Sequence, residues 1–185
     1  MMNGATFTKL HDMRLSVMAE AYRRQLADPD IGPLEFEERF GLLVDAEWNR
    51  RKSNRLSKLI RKADLQQSGA AIENIEYHAD RKLDRGQIAR LAGCAYIAEK
   101  HNIIILGASG SGKTYLSCAF GIAACRNFYT VKYVRLPDLL NEMAVARGEG
   151  IYQKIRKQYQ KVSLLILDEW LLLPLTNSEA RDVLE

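Results

Sequence analysis

The sequence predicts an α/β protein. A three-layer core around a parallel sheet is expected over residues 67–185, behind a small all-helical unit over residues 1–66. Three observations carry this. Residues 102–106, 130–135 and 162–167 have the pattern and length of buried strands, separated by segments of helical period. A glycine-rich loop joins the first run directly to a helix. Up to residue 66, the apolar residues recur at the three- and four-residue steps of helices. Strands that alternate with helices pair in parallel through right-handed crossovers.

Composition narrows the class. The chain has 185 residues, 47% apolar and 27% charged, the balance of a globular protein. No apolar run approaches the ~20 residues of a membrane helix, and the first residues lack the basic start and apolar stretch of a signal peptide. Membrane and secreted classes are disfavoured, and a cytoplasmic location is expected. Cys94, Cys118 and Cys125 have no metal-binding or disulfide spacing and read as small buried hydrophobes. His11, His78 and His101 are scattered, so no metal is assigned to them. The net charge of +4 is too mild to name a partner by itself.

The elements follow in order. Phe7, Leu10, Val17, Met18, Ala21 and Tyr22 predict one helix over 7–26, which Asp28-Pro29-Asp30 and Gly32-Pro33 break. A second helix is expected from about Leu34, through Phe40, Val44, Trp48, Leu56 and Ile60, to the Gln67-Ser68-Gly69 turn. Residues 50–62 of it hold seven basic side chains and no acidic one. At 100° per residue, Arg51, Arg55, Lys58 and Lys62 fall on one face, apart from Leu56, Leu59, Ile60 and Ala63. Such a stripe is a candidate contact for nucleic-acid phosphates, or else a solvated helix face. Ile72, Ile75 and Tyr77 suggest an extended segment, and residues 83–95 a helix.

Residues 102–106 run into Gly107, Ala108, Ser109, Gly110, Ser111, Gly112, Lys113 and Thr114, the G-x-x-x-x-G-K-T pattern of a P-loop. The order strand, glycine loop, helix is the context this motif needs. Glycines let the backbone wrap close to phosphates, whose charge faces successive N–H groups and a helix N-terminus. The loop residues and Tyr115 are expected to bind ATP. Lys113 would reach the β- and γ-phosphates, and Thr114 would place its hydroxyl on Mg²⁺. The third strand ends in Asp168-Glu169, a Walker B pattern 55 residues after Lys113. Asp168 is expected to hold Mg²⁺, and Glu169 to orient and deprotonate an attacking water.

At these residues the chain resembles the IstB-type transposition helper ATPases of bacterial insertion sequences. These belong to the AAA+ class and are related to the DnaC-type helicase loaders. The resemblance spans LHDMRLSVMAEAYRRQL, FEERFGLLVDAEWNRRKSNRLSKLIRKA, the P-loop segment, VKYVRLPDLL and LLILDEWLLLPLT. It implies an AAA+-type core and an ATP-binding protein that assembles on double-stranded DNA as a homo-oligomer and recruits or activates a partner transposase. It also strengthens the assignment of Arg51, Arg55, Lys58 and Lys62 to DNA.

Two departures stand out. Leu171 follows Trp170 where family members often have glycine, which would alter the turn beside the site. The chain also ends at Glu185, inside a helix that opens with the capping-box pattern Thr176-x-x-Glu179. The AAA+ pattern continues with a sensor strand, an arginine finger and a lid. By that comparison the core is C-terminally incomplete, and ATP binding is expected without efficient turnover. A helicase loader, a P-loop kinase of small molecules and a non-catalytic remnant are the competing readings.

Overall fold

The computed structural model describes residues 2–78, 81–170, 172 and 174–184. It divides into two compact units, Met1–Arg55 and Leu56–Glu185.

The first unit begins with two helices where one was expected, α1 (Met2–Asp12) and α2 (Ser16–Ala27). Arg14 between them takes the left-handed conformation, with φ of 60°. Leu15 N donates to Leu10 O at 2.8 Å, and Arg14 N to His11 O at 2.8 Å. These bonds close the C-terminus of α1 in the manner of a Schellman motif. Glycine is the residue that usually marks such a turn. An arginine there, inside an unbroken apolar period, left no sequence signal of the break.

Helix α3 (Phe36–Ala63) follows. Its Glu47 is buried, with 8% of its surface exposed. Glu47 Oε2 accepts from the Val17 and Met18 amides, both at 3.1 Å. It thereby caps α2, whose own N-cap Leu15 supplies no side-chain bond. Glu47 Oε1 accepts from Arg51 Nε at 2.7 Å, and Arg51 Nη2 donates to Arg14 O at 2.8 Å. One carboxylate and one guanidinium thus fasten the α1–α2 turn and the start of α2 to α3.

In the second unit α3 runs to Ala63, and Asp64 then turns the chain at φ of 54°. The extended segment suggested by Ile72, Ile75 and Tyr77 begins only at Ile75, with φ of −73° and ψ of 121°. Ile72–Asn74 is a 3-10 turn, and Ile75 enters the core beside Ile88. The helix expected over 83–95 is α4 (Arg85–Ala92), with the short α5 (Ala95–Ala98) after it.

Helix α6 (Lys113–Arg126) is buried from Cys118 to Cys125. Next come β1 (Val131–Arg135), α7 (Leu136–Gly148), α8 (Tyr152–Gln160), β2 (Leu164–Asp168) and α9 (Asn177–Leu184). Strands β1 and β2 pair in parallel, Tyr133 opposite Ile166 and Arg135 opposite Asp168. Side chains alternate across this sheet. Val131, Tyr133 and Ile166 pack with α6, whereas Val134 and Leu167 pack with Leu136, Leu139 and Met143 of α7 and with Tyr152 and Ile155 of α8. The result is the expected three-layer order, helix on sheet on helix. Gly121 lets α6 approach closely, because a Cβ there would stand 2.9 Å from Leu65 Cδ2 and 3.0 Å from Ile166 Cδ1. The Thr176 box caps α9 as expected, with Glu179 Oε2 accepting from Thr176 N at 2.7 Å.

The strand expected over 102–106 is not formed. The sheet has two strands among the described residues. Ile103 and Ile105 are half-buried, while Ile104 and Leu106 are 79% and 87% exposed. A strand exists only through a ladder partner, and none pairs with this segment among the described residues. Leu171, expected to alter the turn after Trp170, lies outside the described residues, as does the Leu184 side chain. No helix among the described residues is long and apolar enough to cross a membrane.

Candidate nucleotide-binding site

The loop from Gly107 to Gly112 leads straight into α6. Gly110 and Gly112 have φ of 75° and 89°, a region that side-chain-bearing residues enter only with strain. Gly112 is the N-cap of α6, and no side chain caps the helix there. The first-turn amides of α6 are therefore open to an anion. Lys113 Nζ donates to Gly107 O at 2.9 Å and Ala108 O at 2.7 Å, so its ammonium lies across the loop. Backbone amides, a helix start and a lysine converge as polyphosphate binding demands.

Thr114 Oγ1 donates to Asp168 Oδ2 at 2.6 Å. This bond brings the end of β2 to the first turn of α6, across 54 residues of chain. Asp168 Oδ1 accepts from Glu169 N at 2.8 Å. Burial works against the Asp168 charge, but the Thr114 and Tyr133 hydroxyls and the Glu169 amide outweigh it. With Lys113 nearby, they hold the carboxyl below the usual carboxylate range. A hydroxyl beside an ionised carboxylate is a hard-oxygen donor pair. Such a pair would suit Mg²⁺.

Glu169 stands just past β2 at φ of 53°. Its Oε2 accepts from Arg135 Nε at 3.0 Å. Tyr115 turns its ring away from the loop, and its hydroxyl lies 3.3 Å from both N and O of Ala71. Only its backbone can serve a nucleotide.

Two residues near the site escaped sequence reasoning. Arg81 Nη2 donates to Ser111 O at 3.2 Å, bracing the loop from outside. Nothing in the pattern around Arg81 signals this. Tyr133 OH reaches Asp168 Oδ2 at 2.7 Å. Its signal was a phenol on the buried face of a strand, which needs a polar partner. The four stripe residues Arg51, Arg55, Lys58 and Lys62 are all exposed on α3. Arg51 is also engaged by Glu47 and Arg14, a structural duty that the stripe reading did not include.

Residues 8–185 match the model of the family described as IstB-like ATP binding protein. The chain belongs to the IstB-like ATP-binding family. It is 39% identical over its whole length to the insertion sequence IS1162 putative ATP-binding protein of Pseudomonas fluorescens, covering 80% of that protein. It is 38% identical over 97% of its length to the putative insertion sequence ATP-binding protein y4pL of Sinorhizobium fredii, covering 73% of it. The insertion sequence IS21 putative ATP-binding protein of Pseudomonas aeruginosa is 28% identical over 94% of the chain, which covers 64% of that protein.

Proposed function

We propose that this IstB-like chain binds ATP with Mg²⁺ in the cytoplasm, assembles on duplex DNA in that state, and recruits or activates a partner transposase. The observation that carries the nucleotide half is the Thr114–Asp168 bond at 2.6 Å, which joins the P-loop helix to the Walker B strand. The relatives' names, which place them in insertion sequences, support the transposition half.

In this reading the loop amides and the α6 N-terminus face the phosphates. Lys113 exchanges the Gly107 and Ala108 carbonyls for phosphate oxygens, a stronger charge-assisted pairing. Thr114 and Asp168 hold Mg²⁺, which when bound neutralises charge on the β- and γ-phosphates. In any turnover, which is expected to be inefficient, Glu169 would orient the water that attacks the γ-phosphate and take its proton as the bond to ADP breaks. Arg55, Lys58 and Lys62 contact DNA phosphates, Arg51 joining them as far as its bond to Glu47 allows.

The test combines ATP binding with DNA binding. Fluorescent ATP should bind in Mg²⁺, duplex DNA should be retained better with nucleotide than without, and an insertion-sequence transposase should be captured on that complex. ATP binding with no effect on DNA or transposase would leave a nucleotide-binding module and sink the transposition reading.

A further inference from the structure

The Asp168 carboxylate is held from a direction that the P-loop motif does not specify. Tyr133 lies on the α6 face of β1, 6% exposed, within the main core cluster. Its hydroxyl is 2.7 Å from Asp168 Oδ2 and 2.6 Å from Gln66 Oε1. A phenol has one proton, and both neighbours are oxygens as assigned. An ionised carboxylate can only accept, whereas an amide turned by half a rotation offers N–H instead. The proton therefore goes to Asp168, and the Gln66 amide turns its NH₂ toward the phenol oxygen. Thr114 donates to the same Oδ2. Two hydroxyls thus fix one carboxylate oxygen, and the Glu169 amide fixes the other. Packing in the core immobilises the Tyr133 ring, so this donor is in place before any ligand arrives.

We infer that Tyr133 is a positioning residue of the metal–nucleotide site: its phenol holds the Asp168 carboxylate in the orientation that accepts the Thr114 hydroxyl, and so sets the Mg²⁺ requirement of ATP binding. The inference rests on the nucleotide reading above. Partners one shell out from a metal contribute about 10- to 100-fold to its affinity. They act on the metal-dependent part of binding only. Phosphate contacts made by loop amides and Lys113 do not pass through Tyr133.

The experiment titrates Mg²⁺ against the full chain with a fluorescent ATP analogue, and measures the analogue's affinity separately in EDTA. Tyr133→Phe keeps the ring and removes the proton donor. Its Mg²⁺ midpoint should rise about 10-fold, with the EDTA affinity unchanged. Tyr133→para-aminophenylalanine, which donates from the same ring position, should return the midpoint toward wild type. An unchanged midpoint in folded Y133F, an equal loss in EDTA, or no rescue by the amine would each overturn the inference while leaving the nucleotide reading intact. A wild-type chain that binds the analogue neither with Mg²⁺ nor in EDTA would overturn both.

Discussion

Arg135 donates its Nε to Glu169 Oε2 at 3.0 Å, across the C-terminal ends of the two paired strands. Both side chains are partly exposed, at 46% and 35%. The pair therefore contributes little, about 0–1 kcal/mol. Glu169 meanwhile occupies a left-handed backbone conformation, which costs a residue with a Cβ about 1–2 kcal/mol. Glu169→Gly should thus leave the second unit as stable as wild type or more so, by up to about 1 kcal/mol. Urea unfolding checks this. A marked loss of stability would show that Glu169 is structural and not strained for function.

Lys113→Ala should abolish ATP binding with little change in thermal stability. Its ammonium contacts two exposed carbonyls, which water can satisfy in its place. Calorimetric titration with ATP decides the matter, and wild-type affinity in the variant would refute the site.

Glu47→Ala should cost about 1–2 kcal/mol. Most of this comes from uncapping two α2 amides, since Arg51 is 55% exposed and water takes the place of its carboxylate partner. The sign of its pH dependence follows from the lowered Glu47 pKa, set chiefly by Arg51 and opposed by burial. The unfolded chain takes up the proton first on acidification. Stability from Glu47 is therefore complete above its ordinary value of about 4.3 and is lost as pH falls through the lower folded value. Glu47→Gln should flatten the acid limb of the stability curve between those two values, and an unaltered limb would count against it.

The stripe on α3 now divides. Replacing Arg55, Lys58 and Lys62 by Ala should weaken binding to unrelated duplexes alike. It should also reduce the salt slope by about 0.9 for every phosphate that the variant no longer neutralises. Arg51→Ala should instead loosen the first unit, read as a lower melting temperature without DNA, because it breaks bonds to Glu47 and Arg14. Wild-type affinity and slope in the triple variant would return the stripe to a solvated face.

The features legible in the sequence were those carried by local pattern. The P-loop, the β2 run into Asp168, the parallel pairing and the Thr176–Glu179 box all depend on residues a few positions apart, or on a topology that short crossovers dictate. What stayed hidden depended on partners far along the chain. Residues 102–106 have the apolar content of a buried strand, yet a ladder is a property of two segments. Arg51 looked like one of four equivalent cations until Glu47 was found buried beside it. Tyr133 looked like a strand aromatic until Asp168 arrived from 35 residues away.

Cys94, Cys118 and Cys125 are all buried, and burial pushes the Cys125 thiol up to about 11. Thiols kept protonated and enclosed are slow to react. Two of them, Cys118 and Cys125, sit on α6. The native chain is therefore its own probe. The rate at which Cys118 and Cys125 react with a thiol reagent reports how often the helix behind the P-loop opens to solvent. A tightly bound nucleotide should slow that clock, and no label need be added to the surface to hear it.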